Sequence, residues 1–303
     1  MQTYLELARQ GKNGLWRTVL AVLLILFMWQ IIGALPIAAV LVWTILNGKQ
    51  HGVVATGNLS GLGMLPNLVL TLLPAVFFIG GIYLAMRFIH RRPMRTLVTP
   101  ARSVAWGRLF QGFGAWFVLV ALMSLVEALL HPGRYAWTPD MQHFLPFAFL
   151  ALVLVPIQTS AEELLFRGYI LQQVGLRSRN IWLLCAVSGL LFGLPHLLNP
   201  EASVSYPLLG FYYISMGFFL AYITLRDGSL ELALGVHAAN DLFSALIANY
   251  AITTVLPSPS LFTINVLDAV YTLPAALVGM ALFLWLFLGP FRRKGDITTP
   301  VRS

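Results

Sequence analysis

Three groups of ionisable residues lie inside otherwise apolar stretches of the chain. The first group contains Glu162, Glu163 and Arg167. Glu163 and Arg167 are four residues apart, so on a helix they share a face and can form an ion pair. Glu162 lies about 100° around the helix and is left without that partner. An unpaired carboxylate in an apolar setting suits a general base, although all three residues could simply cap the end of a helix.

The second group pairs an aromatic ring with an imidazole. Phe192 and His196 are four residues apart and therefore lie on one helix face. Pro195 removes a helical hydrogen bond, which predicts a kink and room for a pocket beside the histidine. A histidine that only marks the membrane interface is the alternative.

The third group places an imidazole beside an acid. Asn240 and Asp241 follow His237 by three and four residues, so all three share a helix face. A carboxylate next to an imidazole fixes its tautomer and raises its basicity. The alternative is a packed polar patch without chemistry.

The composition places these groups in a membrane protein. Hydrophobic residues make up 58% of the 303 residues and charged residues 10%, whereas soluble domains are about 25% charged. Most of the long apolar runs reach the roughly 20 residues that a membrane-crossing helix needs. The runs are 18–46, 64–86, 109–130, 144–161, 181–198, 206–225, 230–251 and 261–290. We expect an all-α polytopic protein with about eight transmembrane helices, in which the helices at 144 and 181 extend beyond their runs.

The chain is expected to form a single transmembrane helical domain over residues 1–303. The first run is too long for the h-region of a cleavable signal peptide, so we expect it to stay as an anchor. Cys185 is the single cysteine, which excludes a disulfide framework within the chain.

The cations predict the orientation. All of the 19 Lys and Arg residues except Lys49 and Arg134 fall on one set of alternate loops. By the positive-inside rule both termini are cytoplasmic, and we expect a bacterial cell membrane. Attraction to anionic membrane lipid accounts for the net charge of +8, so no nucleic-acid partner is needed.

Helix geometry predicts that the three groups meet. If a hairpin turns near Ser178, Glu162 lies 16 residues before the turn and His196 lies 18 after it. Both are then roughly 25 Å from the turn. His237 is nine residues past Gly228, or about 14 Å, which agrees if the hairpin projects into the cytoplasm.

These residues resemble the CAAX-protease and bacteriocin-processing family of intramembrane proteases, also called the Abi family. Its three motifs occur in order over roughly residues 140–250, which we take as the catalytic core. They are EExxxR at Glu162, Glu163 and Arg167, FxxxH at Phe192 and His196, and HxxxB, with B meaning Asn or Asp, at His237 and Asp241.

The resemblance implies an eight-helix enzyme that hydrolyses peptide bonds near the cytoplasmic membrane face. It implies that Glu162 and His196 activate the attacking water and that His237 and Asp241 stabilise the oxyanion, with Glu163, Arg167, Phe192 and Asn240 in support. An ionised Asp241 cannot donate, so it is protonated, or it orients His237, or Asn240 is the donor. The substrate would be a membrane-associated or lipidated protein or peptide: a prenylated CAAX protein in eukaryotes, and a peptide or membrane protein in bacteria.

Three further alternatives stay open. Glu162, His196 and His237 have the composition of a catalytic zinc set, or a set for another divalent metal, with an open position for water. The HExxH motif is absent, and without a metal no cofactor is expected. The protein could also be a non-catalytic bacteriocin-immunity or scaffolding protein, or a proton-coupled carrier.

Overall fold

Helices that could cross a membrane make up most of the protein. The computed structural model describes residues 2–47, 62–251 and 256–289. Six helical stretches in these ranges are long and apolar enough to span a bilayer. They are Leu15–Leu46, Met64–His90, Trp106–Leu130, Met141–Gly175, Tyr206–Asp227 and Ala269–Leu288. The prediction of an all-α polytopic membrane protein is confirmed.

The described ranges contain twelve α-helices and three strands, numbered here in chain order. The helices are α1 (Gln2–Glu6), α2 (Leu15–Leu26), α3 (Leu35–Leu46), α4 (Met64–Leu72), α5 (Pro74–Leu84), α6 (Trp106–Leu130), α7 (Met141–Glu163), α8 (Leu171–Gly175), α9 (Ile181–His196), α10 (Tyr206–Asp227), α11 (Glu231–Leu246) and α12 (Ala269–Leu288). The wider π-helical segments Phe27–Ile32, Ala85–His90 and Leu164–Ile170 continue α2, α5 and α7. Short 3₁₀ turns occupy Leu7–Gln10, Met94–Leu97 and Pro200–Val204. The strands are β1 (Tyr135–Trp137), β2 (Ala248–Tyr250) and β3 (Phe262–Ile264).

The count of eight spans is not confirmed, because α9 and α11 have 16 residues each. At 1.5 Å per residue they are about 24 Å long, short of a ~30 Å hydrocarbon core. The helix at 144 does extend beyond its apolar run, but the prediction that the helix at 181 does so is wrong. Asn180 caps its start by accepting from the Trp182 and Leu183 backbone N–H groups. Past its end, Asn199 precedes Pro200 and is extended, as that position favours.

A small three-stranded sheet replaces helix where two apolar runs were predicted to be fully helical. β3 lies in the middle, antiparallel to β1 and parallel to β2. Runs 230–251 and 261–290 each therefore contain one strand as well as one helix. The sheet ties together the chain after α6, the chain after α11 and the chain before α12.

Two pairs of helices approach closely through glycine. A Cβ at Gly235 of α11 would overlap the Leu109 carbonyl oxygen of α6. A Cβ at Gly193 of α9 would lie 2.8 Å from the backbone nitrogen of Ile214 in α10. Small residues at such contacts let helix backbones approach within a membrane. The pairs α6–α11 and α9–α10 are therefore packed backbone to backbone.

The two ends of the bundle have different polar contacts. At the end where α10 finishes, Arg108 donates to Asp227 at 2.6 Å. At the sheet end, Arg134 pairs with Glu127 at 2.9 Å and with Asp268 at 2.8 Å. This agrees with the prediction that Arg134 lies opposite most other cations.

Five of the cations used to predict the orientation lie outside the described residues. They are Lys49, Arg292, Arg293, Lys294 and Arg302. The orientation of the bundle stays a prediction.

Candidate active site

The first motif lies where α7 passes into the π-helical segment Leu164–Ile170. Arg167 Nη1 donates to Glu163 Oε1 at 2.6 Å, and both side chains are fully buried. The ion pair predicted from the four-residue spacing is therefore present. Since each charge is balanced by the other, the pair can lie in the apolar interior.

Glu163 also reaches a second helix. His237 Nδ1 lies 2.7 Å from Glu163 Oε1, which joins α11 to α7. Arg167 Nη2 donates to the Gly217 carbonyl, and its guanidinium lies over the Phe192 ring at 4.2 Å from the centroid. The four-residue spacing predicts the ion pair of Glu163 but not its contact with His237. A second acid beside the proposed base was the only signal for it.

Glu162 faces the other way, into a cavity. The sequence predicted that the Glu162 carboxylate is unpaired. In the structure it has one partner, because Gln158 Nε2 donates to its Oε1 at 2.6 Å. This hydrogen bond was not predicted, although the position of Gln158, four residues before Glu162, puts both side chains on one helix face. The other oxygen, Oε2, makes no hydrogen bond within the described part of the chain and lies 3.8 Å from His237 Nε2.

The third motif faces the same space. Asp241 Oδ2 lies 3.7 Å from His237 Nε2, so the two are within ion-pair distance. Asn240 Nδ2 donates to Asp241 Oδ1 at 3.2 Å, and Trp116 Nε1 donates to Asn240 Oδ1. The amide of Asn240 is thus oriented with its nitrogen toward the acid.

His196 ends α9 and is held by its own helix. Its Nδ1 lies 2.7 Å from the Phe192 carbonyl oxygen. A carbonyl oxygen can only accept, so Nδ1 carries the hydrogen and Nε2 keeps a lone pair when the ring is neutral. The imidazole lies between the rings of Phe192 and Tyr213, with centroids at 4.4 and 5.0 Å.

One cavity of about 490 Å³ brings these side chains together. Glu162, His196, His237, Asn240 and Asp241 all line it. The lining continues to Tyr250 and Ile264 of the sheet. The three motifs therefore converge, as the residue counts from the helix turns predicted. The cavity extends from them toward the sheet end.

The side chains that the structure describes are not grouped as a metal-binding site. Across residues 2–47, 62–251 and 256–289, no group of three or more His, Cys, Asp and Glu side chains could hold a metal ion. Of the proposed ligands Glu162, His196 and His237, the last is held at Nδ1 by Glu163, and its Nε2 lies 3.8 Å from Glu162 Oε2. Because the described side chains form no such group, we derive no step through a metal.

Comparison with known proteins places the chain in a family. Residues 140–243 match the family described as type II CAAX prenyl endopeptidase Rce1-like. An uncharacterized protein of Bacillus subtilis (strain 168), YyaK, is 35% identical over 285 residues, which cover 91% of this chain and 93% of the relative. No solved structure gives a significant match. The chain belongs to the Rce1-like family of type II CAAX prenyl endopeptidases, and its long apolar helices make it an integral membrane protein.

Proposed function

We propose that the protein is an intramembrane endopeptidase of the glutamate type, with residues 140–250 as its catalytic core. One observation carries the proposal. Glu162 presents a carboxylate to the cavity that holds His196 and His237, while its neighbour Glu163 is neutralised by Arg167. A carboxylate that faces the same cavity as two imidazoles suits activation of water.

In the first step, Glu162 accepts a proton from a water molecule. The water keeps its other hydrogen and donates it in a hydrogen bond to His196 Nε2, which is available because Nδ1 is bound to the Phe192 carbonyl. The water oxygen then forms a bond to the carbonyl carbon of the scissile peptide. The carbonyl π electrons move onto its oxygen and make a tetrahedral oxyanion.

Donors on α11 face the developing charge. His237 is held at Nδ1 by Glu163, so its protonated form would donate from Nε2. Asn240 has a second Nδ2 hydrogen beyond the one given to Asp241. In this proposal Asp241 orients Asn240 and need not be protonated.

In the last step, the oxyanion collapses and the C–N bond breaks. Glu162 returns its proton to the leaving nitrogen, which gives a free amine and a carboxylic acid. One water is consumed and Glu162 is regenerated, so the steps balance without a further reactant.

The location supports a membrane-associated or lipidated protein or peptide as the substrate. We place the protein in a bacterial cell membrane with both termini in the cytoplasm, on the distribution of its cations. His237 is the seventh residue of α11, so the site lies about 9 Å from the Arg108–Asp227 end, the predicted cytoplasmic side.

Replacing Glu162 by Gln tests the proposal. The purified protein is reconstituted in liposomes with a mixture of apolar synthetic peptides in H₂¹⁸O, and fragments are identified by mass spectrometry. Wild type should release fragments with ¹⁸O in the new carboxylate, and Glu162→Gln should reduce their rate by about 10²–10⁴-fold. Asp140→Asn is the control, since Asp140 is half exposed before α7. If wild type and Glu162→Gln release fragments at equal rates, Glu162 is not the catalytic base. If neither protein releases fragments, a non-catalytic protein is favoured.

A further inference from the structure

A buried tryptophan outside the family-matched region reaches the candidate active site. Trp116 lies in α6, is 1% exposed and lines the cavity. The family match covers residues 140–243, so α6 is not part of it. Trp116 Nε1 nevertheless donates to Asn240 Oδ1 at 3.3 Å. Helix α6 therefore adds a polar contact to the site as well as apolar packing.

The indole determines which way the Asn240 amide faces. An indole N–H can donate a hydrogen bond but cannot accept one. Oδ1 of Asn240 must therefore face Trp116, and Nδ2 faces Asp241, to which it donates at 3.2 Å. Reversing the amide would place two N–H donors together at Trp116 and two oxygens together at Asp241. The orientation is thus fixed from both ends of the amide.

The indole ring is itself held in place. Its centroid lies 5.3 Å from that of Phe219 in α10 and 5.9 Å from that of Phe283 in α12. A Cβ at Gly112, one turn before Trp116, would lie only 2.6 Å from the Leu232 carbonyl oxygen of α11. The backbones of α6 and α11 therefore touch close to the indole. A group held by packing in this way can orient a neighbour precisely.

We infer that Trp116 is a positioning residue for peptide hydrolysis, acting through the Asn240 amide. The inference rests on the proposed function, in which Asn240 donates its second Nδ2 hydrogen to the oxyanion. An amide that could reverse would present Oδ1 to the oxyanion and repel it. The oxyanion forms only on the way to the products, so the loss should appear in kcat and not in KM.

The test uses the full-length protein in liposomes and a fluorogenic peptide built from the best-cleaved sequence of the H₂¹⁸O assay. Trp116→Phe removes the N–H and keeps an aromatic ring. It should lower kcat by about tenfold, less than the ~10²–10³-fold expected when an oxyanion donor is lost entirely, and leave KM within about twofold. Trp182→Phe is the control, because Trp182 also stacks on two aromatic rings but is 61% exposed. Its kcat and KM should equal those of wild type.

A double-variant cycle separates positioning from packing. Asn240→Ala removes the amide, so adding Trp116→Phe to it should not lower kcat further. A role of Trp116 in packing alone would instead lower kcat by the same factor in both backgrounds. Benzothienylalanine at position 116 keeps both rings and replaces the N–H with sulfur. It should reproduce the fall in kcat, and it serves as the test if Trp116→Phe does not fold.

The outcomes separate the inference from the proposed function. A normal kcat with benzothienylalanine, or equal factors in both backgrounds, would overturn the inference and leave the endopeptidase intact. A higher KM with an unchanged kcat would do the same, since it would place the contact in substrate binding. If wild type cleaves no peptide, the endopeptidase itself is overturned, and the role of Trp116 in hydrolysis with it.

Discussion

Two neighbouring glutamates at the end of α7 lie in opposite environments. Glu163 is fully buried, pairs with Arg167 and holds His237. Glu162, one residue earlier, faces the cavity and has one oxygen without a hydrogen bond in the part of the chain described. A glutamate is thus part of the packed interior on one face of the helix, and a second glutamate is available for reaction on the other face. The face that carries Glu163, called the packed face, should control stability. The face that carries Glu162, called the cavity face, should control activity.

The largest expected effect is on the packed face. Arg167→Met leaves Glu163 charged and buried without its ion-pair partner, which should cost about 3–5 kcal/mol of stability. Thermal unfolding in detergent micelles measures it. The control is Arg179→Met, since Arg179 is 40% exposed and 3.6 Å from Glu6, and such pairs contribute about 0–1 kcal/mol. Equal stability of Arg167→Met and wild type would contradict the role of the pair.

The next prediction separates the two contacts of Glu163. The double variant Glu163→Gln/Arg167→Met leaves no unpaired charge on this face, so it should recover at least about 1 kcal/mol relative to Arg167→Met alone. Its activity should stay on the order of tenfold to a hundredfold below wild type, because His237 has lost the carboxylate that orients it. A double-variant cycle of stability and kcat/KM measures both. Recovery of activity together with stability would show that Glu163 does not position His237.

On the cavity face, Gln158→Leu should affect activity more than stability. It removes the donor to Glu162 Oε1 while keeping the side-chain volume similar. We expect about a tenfold lower kcat/KM and a change in stability within about 1 kcal/mol. Gln142→Leu, on the exposed part of the same helix, is the control. A large stability loss with normal activity per folded molecule would reverse the assignment of the two faces.

The smallest effect tests how far the packed face extends. The buried Tyr4 hydroxyl donates to the Leu97 carbonyl at 2.6 Å and lies 3.1 Å from the Arg167 carbonyl. Tyr4→Phe should lower stability by about 0.5–1.5 kcal/mol. Tyr83→Phe, at a half-exposed position, should be neutral. If both variants unfold at the same temperature, α1 does not support the helical segment that carries Arg167.

The sequence predicted contacts within one helix better than contacts between helices. The Glu163–Arg167 pair and the shared face of His237 and Asp241 follow from residues per turn, which local geometry fixes. Glu163 and His237 are 74 residues apart in the chain, so their contact depends on how α7 and α11 are aligned. Side-chain packing and the glycine contacts determine that alignment, and no local spacing contains it.

The sheet was missed for a related reason. Its strands have three residues each, and Tyr135 pairs with Ile264 across more than a hundred residues. β2 and β3 lie inside apolar runs 230–251 and 261–290, which are long enough to be interpreted as membrane helices throughout. The convergence of the motifs was predictable because it needed only helix lengths, whereas the size and the direction of the cavity were not.

The glycine contacts determine how the cavity can change its width. His237 and Asp241 lie on α11, which is locked to α6, and His196 lies on α9, which is locked to α10. Neither pair can slide internally without backbone overlap. A change in the spacing of the two helix backbones that carry these imidazoles therefore requires one pair to move as a rigid body against the other, a motion expected on the microsecond to millisecond timescale. Adjustment to substrates of different bulk would then be slower than side-chain rotation.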